Sequence, residues 1–276
     1  MPLSTLLIRG LKGTTTMNVR DAGLASHDAE FIVEAFDSTL APLAAMGSGA
    51  MWGSQPFSRK DGFVEETLKD VAASERYRTT GEGDALRIFI AEVEVQSPTV
   101  TGAITPHDAG QDEPGLRYRA AEDGKRYVSV GAALMRTNWL PGHVKRQFNK
   151  EEKIRDELEG KKDSFVYLDV IVTDYRTGRY RKGAGEALIR RAKEYGVEEG
   201  MQVLYVDAWA GNEKKLNRFY ERQGFVVVDD FAFARTNEPA WLGASTSYVG
   251  TVDETPMKVS HTRPVYKLLI RCQIKL

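Results

Sequence analysis

The sequence predicts a mixed α/β protein, and three observations lead to that fold class. Strand-like and helix-like stretches alternate along most of the chain. Their predicted order is β-α-α-β-β-β-α-β-α-β-β, which combines hairpins with helical crossovers. With 276 residues, the chain can bury a large core, and the sequence contains no repeat or inter-domain linker. We therefore expect a single domain over residues 1–276, with 1–13 as an N-terminal extension.

The first half of the chain predicts one strand, two helices and then three strands. Residues 14–22 alternate like a half-buried strand. The helix that follows has Ser26 as its predicted N-cap and Gly47 as its stop. A glycine-rich break separates it from a second helix around 63–77. The next three predicted strands cover 86–95, 126–137 and 164–174.

The second half begins with an amphipathic helix near Gly183, whose apolar positions recur at helical spacing. The elements predicted after it are a strand at 201–210, a short helix closed by Gly224, and strands at 225–233 and 264–276. Three long connections remain, at 96–125, 138–163 and 234–263. Connections of that length in a compact domain are usually functional lids or disordered segments. The middle one is highly charged and could carry a helix, or form a solvated surface arm.

Composition excludes several classes of function. The chain has 38 basic and 39 acidic residues, so no global field favours nucleic acid or an anionic membrane as a partner. Cys272 is the single cysteine, which excludes an internal disulfide and any CxxC motif. Neither a leader pattern nor an apolar stretch of membrane-spanning length occurs in the sequence, which favours a cytoplasmic protein. The four histidines lack metal-ligand spacing, so we expect surface or loop histidines and no metal.

The most distinctive short stretch is RYRKGAGEALIRRAKEYG, residues 179–196. Two glycines allow close approach of a ligand to the backbone, and the first N–H groups of the following helix favour an anion. Three cations, Arg179, Arg181 and Lys182, add positive charge. The pattern is neither a Walker A motif nor GxGxxG. It predicts a phosphate or pyrophosphate site without identifying the ligand.

Its context resembles the GNAT superfamily of acyl-CoA-dependent N-acyltransferases. The window from Tyr180 to Gly185 is similar to the family signature Arg/Gln-x-x-Gly-x-Gly/Ala, with Tyr180 where Arg or Gln is usual. The segment VDAWAGNEKKLNRFYERQGF, residues 206–225, resembles the fifth strand and fourth helix of that family. By element order the resemblance extends over roughly residues 14–276.

The resemblance implies the GNAT fold, a mixed and mostly antiparallel central sheet flanked by helices, in which strands 4 and 5 splay apart. It also implies acetyl-CoA as co-substrate, with pantetheine between the splayed strands and pyrophosphate at the start of the third helix. The positions implied to bind it are Val170, Ile171, Val172, Arg181, Lys182, Gly183, Ala184, Gly185, Glu186 and Asn212.

Transfer to an amine needs a proton acceptor for the amine and a proton donor for the departing thiolate. Tyr220 matches the family's tyrosine and is the predicted donor, although its spacing also suits a core residue. Asp169 and Glu92 are the predicted proton acceptors, and water could relay the proton instead. Trp52 and Asp207 are predicted to contact the amine substrate.

These expectations favour transfer of an acetyl group to a primary amine of a small molecule, by direct attack in a ternary complex. The insertions at 138–163 and 234–263 motivate a small acceptor because they could enclose the cleft. Two alternatives stay open: acetylation of a protein lysine or N-terminus, and a non-catalytic CoA-binding sensor or interaction protein. The resemblance also allows a homodimer, since the C-terminal strands of this fold often support dimers.

Overall fold

The computed structural model describes residues 5–8, 15–47, 49–95, 115–122, 124–148, 150–233 and 265–274. Most of the connection at 96–125 and all of that at 234–263 lie outside these residues, as do His107 and His261.

Nine strands and seven helices make up the described part of the chain. The strands are β1 (Thr5–Ile8), β2 (Thr15–Asp21), β3 (Leu86–Val95), β4 (Tyr118–Ala120), β5 (Arg126–Thr137), β6 (Phe165–Thr173), β7 (Val203–Trp209), β8 (Val226–Phe233) and β9 (Val265–Gln273). The helices are α1 (Asp28–Ala45), α2 (Gly49–Trp52), α3 (Phe63–Thr80), α4 (Gly142–Phe148), α5 (Glu152–Glu159), α6 (Ala184–Glu198) and α7 (Lys215–Arg222).

All nine strands form one sheet in the order β1-β2-β3-β5-β6-β7-β9-β8, with β4 paired to β5. Every pairing is antiparallel except β6 with β7, which is parallel. That parallel pairing covers only Phe165–Tyr167 against Val203–Tyr205. Beyond these residues the two strands no longer pair. The predicted mostly antiparallel sheet with two splayed central strands is therefore confirmed.

Helices cover both faces of the sheet. α6 places Ala187, Leu188 and Ala192 in a core formed with β2, β3 and β5. α1 and α3 pack on the opposite face, where Phe31 and Val71 meet alternate residues of β3. Burial of such side chains is the main favourable term in folding. The two-residue alternation along β3 thus divides its side chains between two separate cores.

The charged connection at 138–163 is not a solvated arm. It contains α4 and α5, whose Val144, Ile154 and Leu158 are buried in a third core. This core includes Tyr167 and Tyr205, at the point where β6 and β7 separate. The insertion is therefore anchored beside the opening in the sheet.

Other sequence expectations need correction. α1 does not begin at an N-cap Ser26, because His27 occupies that position with φ 54° and makes no side-chain cap bond. Gly47 does follow the helix in a left-handed conformation, at φ 80°. The segment 1–13 was expected to be an extension, yet β1 within it pairs with β2. Neither α2 nor β4 was predicted.

Candidate active site

The central feature of the site is the opening between β6 and β7. In the register with β5, Val170 lies opposite Leu134 and Leu168 lies opposite Met135. Asp169 is therefore the extra residue of a β-bulge, a feature that redirects side chains and often lies near active sites. After Tyr167, the edge of β6 that faces β7 pairs with no other strand among the residues that the structure describes. Its backbone groups at Val170–Val172 can pair with an extended ligand.

The N-terminus of α6 follows this strand after the turn at Tyr175–Arg181. Gly183 caps the helix at φ 89° and makes no side-chain cap bond. The first helical bond runs from the Ala187 N–H to the Gly183 carbonyl, at 3.0 Å. The N–H groups of Ala184, Gly185 and Glu186 therefore have no partner within the helix, and the helix dipole favours negative charge there.

The same helix start is tightly packed against α7. A β-carbon on Gly185 would lie 3.2 Å from Cζ of Phe219. Such a contact is closer than ordinary van der Waals packing, so a larger residue would displace the Phe219 ring or the helix start. The lack of a side chain at Gly185 therefore lets the start of α6 approach the Phe219 ring closely.

The loop that joins β6 to α6 is held by ion pairs. The Asp174 carboxylate is buried, accepts the Arg176 N–H at 3.0 Å and pairs with the Arg176 guanidinium. Tyr180, the irregular position in the glycine motif, lies in a turn at Tyr175–Arg181 and packs partly on the main core. Arg181 stacks 3.8 Å from the Tyr175 ring centroid, and Lys182 is exposed. Two cations thus flank the helix start.

A cavity of about 260 Å³ lies at the inner end of the opening. One wall is aromatic, with Phe36, Trp52, Phe57 and Phe63 in mutual ring contact. The other walls come from both splayed strands, α3, α7 and the segment leading into α4. Their polar or charged members are Lys60, Glu66, Thr67, Asp70, His143, Asp169, Asp207, Trp209, Tyr220 and Lys267.

Asp169 projects into this cavity from the bulge of β6. Its Oδ2 lies 3.4 Å from Nε of Arg136, whose Nη2 lies 3.3 Å from Asp70 Oδ1. Burial raises the pKa of Asp169 to about 6, against the opposing effect of Arg136. Burial also raises the pKa of Asp70 and of Glu66. The Arg136 guanidinium thus contacts two carboxyl groups, Asp70 and Asp169, that hold protons more tightly than in water.

Asp207 is the centre of a hydrogen-bonded network on the opposite wall. Its Oδ1 lies 3.1 Å from His143 Nε2 and accepts a hydrogen bond from the Tyr167 hydroxyl. Its Oδ2 pairs with Lys267. Burial alone would raise the pKa of Asp207, but Lys267 and His143 outweigh it and hold that pKa well below the ordinary value. Asp207 is therefore an ionised carboxylate that orients its neighbours.

Tyr220 lines the cavity from α7, and only 2% of its surface is exposed. Its ring makes edge contacts with Phe219 and Phe225. Burial, with a smaller effect of Asp207, raises the pKa of its phenol above the ordinary value. The hydroxyl therefore stays protonated at neutral pH, as a proton donor must.

The other residues named from sequence fall in different places. Trp52 lines the cavity from α2. Glu92 does not line it, because Glu92 is buried beside β2 and forms ion pairs with Arg20 and Arg119. Asn212 lies just after β7 at φ 51°, the first of three consecutive residues in the left-handed region.

His143 was missed by the sequence reasoning, which expected a surface or loop histidine. The structure places it on the cavity wall, bonded to Asp207. His27 does have a largely exposed side chain, as expected. Within the described ranges, no group of three or more His, Cys, Asp or Glu side chains could hold a metal ion. No helix in the described part of the chain is long and apolar enough to cross a membrane.

The fold and the site define a class of protein: a sheet with two splayed central strands, a glycine-rich helix start after the first of them, and a cavity lined by aromatic and charged side chains. No protein-family model and no curated protein sequence matches the chain. Comparison with solved structures matches acetyltransferases over nearly their whole length. One is yncA from Salmonella typhimurium, whose structure contains its cofactor acetyl-CoA, with 15% identity, TM-score 0.45 and coverage of 94% of each chain.

Two further matches have the same character. One is the acetyltransferase of the GNAT family from Streptococcus pneumoniae, with 13% identity and TM-score 0.41, covering 94% of this chain and 99% of that one. The other is arylalkylamine N-acetyltransferase 2 from Aedes aegypti, with 14% identity, TM-score 0.44 and the same coverages. These TM-scores lie below 0.5, so the functional proposal rests on the topology and site of this chain.

Proposed function

We propose that the protein is an acetyl-CoA-dependent N-acetyltransferase with the GNAT fold, acting on a primary amine of a small molecule. The observation that carries this proposal is the continuity of three features. At the start of α6, Ala184 packs beside Gly131 next to the Val172 carbonyl, near the open end of β6. The unpaired edge of β6 runs along the opening, and the cavity is lined by residues of β6 and β7 where the two strands begin to separate. The pyrophosphate, the pantetheine amides and the acetyl thioester follow one another in the same order along acetyl-CoA.

The chain's residues fit this co-substrate. The N–H groups of Ala184, Gly185 and Glu186 suit a pyrophosphate, and the half-buried Arg181 and exposed Lys182 add charge. The open edge at Val170–Val172 suits the pantetheine amides, since an extended ligand can pair with it as a strand would. Asn212, at the end of β7, is the proposed contact from the other strand.

The co-substrate supplies an acetyl group activated as a thioester, and the chain supplies the proton transfers. We assign Tyr220 as the donor to the leaving sulfur, because its phenol is buried and protonated within the cavity. We assign Asp169 as the group that receives the entering ammonium and takes its first proton. A carboxyl group with a pKa near 6 is ionised at neutral pH yet is basic enough to accept a proton.

The cavity supports a small acceptor. Its volume of about 260 Å³ is slightly below the range of roughly 300–1,000 Å³ that is usual for ligand pockets. The wall that includes Trp52 suits an apolar body or a cation, and the ion pair between Asp207 and Lys267 makes the opposite wall polar. We expect the amine group to point toward Asp169 and the rest of the acceptor to lie against the aromatic rings.

The decisive experiment measures free thiol released from acetyl-CoA in the presence of amino acids, polyamines, arylalkylamines and aminoglycosides. Intact-mass analysis of candidate proteins serves as the parallel arm. Thiol release with an amine, together with an acetylated product, supports the proposal. Acetylation of proteins alone would make the acceptor a lysine or N-terminus. A rise in melting temperature with acetyl-CoA but no thiol release would indicate a CoA-binding sensor.

A further inference from the structure

Acetylation of an ammonium requires the loss of two protons from nitrogen. The ammonium carries three N–H protons, whereas the amide product carries one. The first proton must leave before attack, because only a neutral amine has a lone pair, and the second leaves after the N–C bond has formed. Asp169 accounts for the first of these protons in the proposed function. The second proton also needs an acceptor, and a group on the cavity wall can supply it.

His143 is a residue with the right chemistry and the right support. Its Nε2 lies 3.1 Å from Asp207 Oδ1, and Asp207 is itself held by Tyr167 and Lys267. The Asp207 carboxylate, with its lowered pKa, keeps the Nε2 nitrogen protonated as the donor. The imidazole lone pair is then on Nδ1, and the side chain keeps 20% of its surface accessible at the cavity.

The position of His143 is fixed by the insertion that carries it. The next residue, Val144, is fully buried in the core that α4 and α5 form with β6 and β7. The His143 ring also lies 6.3 Å from the Phe231 ring on β8. The Asp207 carboxylate and the Lys267 ammonium are the charged groups that meet the ring from β7 and β9. A ring held from several elements is preorganised for proton transfer.

We propose that His143, oriented by Asp207, accepts the second proton of the amine nitrogen during acetyl transfer. The inference rests on the proposed function and adds a catalytic residue to it, with Asp207 as a positioning residue. The N–C bond forms as the amine attacks the acetyl carbonyl, and the C–S bond breaks as the thiolate leaves. Sulfur takes its proton from Tyr220, and the proton on His143 restores the phenol through solvent. The proton on Asp169 passes to solvent, so the reaction balances.

The test combines substitution with chemical rescue in the full-length protein. His143→Ala removes the imidazole and leaves space for imidazole added to the buffer. Lys145→Ala is the matched control, since Lys145 is exposed on the same helix. Asp207→Asn tests the positioning role. Each variant is assayed for kcat and acceptor KM, for acetyl-CoA affinity, and for melting temperature.

We expect His143→Ala to lower kcat about 100-fold or more, the usual contribution of a general base. Its acetyl-CoA affinity should stay within threefold of wild type. Added imidazole should raise the kcat of the variant at least tenfold. Asp207→Asn should lose turnover that imidazole does not restore, and Lys145→Ala should be unchanged.

A His143→Ala kcat within threefold of wild type overturns the inference, as does a loss that imidazole leaves unaltered. Absence of turnover in the wild-type protein would instead overturn the proposed function, so the two failures are distinguishable.

Discussion

Asp169 and Arg136 face each other across the β5–β6 bulge, with Oδ2 3.4 Å from Nε. This single contact does not compensate for burial, because the pKa of Asp169 is raised from 3.8 to about 6. The folded protein therefore binds this proton more tightly than the unfolded chain does. The resulting stability is fully present below about pH 4 and is lost as the pH rises through about 6.

Asp169→Asn should therefore stabilise the protein at neutral pH. A shift of about two pKa units corresponds to roughly 3 kcal/mol of unfolding free energy, which the wild type loses between pH 4 and 7 and the variant retains. Urea denaturation at pH 4.5 and 7.5 measures the difference between variant and wild type at each pH. Asp61→Asn, which removes an exposed carboxylate, is the control. If the difference in unfolding free energy between variant and wild type does not grow with pH, Arg136 fully compensates the negative charge of Asp169.

Gly183→Ala should weaken binding of CoA through its pyrophosphate. Gly183 has φ 89°, a region that costs an alanine about 1–2 kcal/mol, and the strain displaces the N–H groups that follow it. We expect a loss of affinity of tenfold or more for acetyl-CoA but little change for an acetyl-pantetheine fragment, measured by calorimetry. Gly200→Ala is the matched control, because Gly200 follows the same helix at φ 69°. Equal losses for both donors would argue against a pyrophosphate at this helix start.

Tyr220→Phe should lower kcat by about 10- to 1,000-fold while acetyl-CoA affinity stays within threefold. The hydroxyl is the only difference, so packing against Phe219 and Phe225 is retained. Tyr205→Phe controls for loss of a buried phenol outside the cavity, since Tyr205 donates to Glu157. If the Tyr220→Phe enzyme turns over like wild type at both low and high pH, Tyr220 is a core residue and not the acid.

The sequence predicted the glycine loop because that feature depends on local chemistry. Gly183 occupies a position where positive φ is needed, and the apolar spacing from Ala187 onward defines the buried face of α6. The strands around it followed from two-residue alternation in the same way. Such local signals were enough to predict where α6 begins.

The acceptor side could not be predicted in the same way. Glu92 and Asp169 were equivalent candidates in sequence, yet Asp169 is the extra residue of a bulge on β6, whereas Glu92 continues the regular alternation of β3. The structure turns Asp169 into the cavity and surrounds Glu92 with arginines. His143 had no signal at all, because its position depends on how α4 packs on distant strands.

Asn217→Leu should raise the stability of the protein. Asn217 lies on α7 with 2% of its surface exposed, and neither its Nδ2 nor its Oδ1 has a hydrogen-bond partner in the described structure. A buried amide without partners costs about 1–3 kcal/mol, whereas leucine has a similar size and no polar group to satisfy. We expect a gain of about 2 kcal/mol by urea denaturation. Ser74→Ala provides the contrast, because the buried Ser74 hydroxyl accepts the Ile88 N–H at 2.8 Å and its removal should destabilise. Destabilisation by both substitutions would mean that the Asn217 amide is hydrogen-bonded in solution.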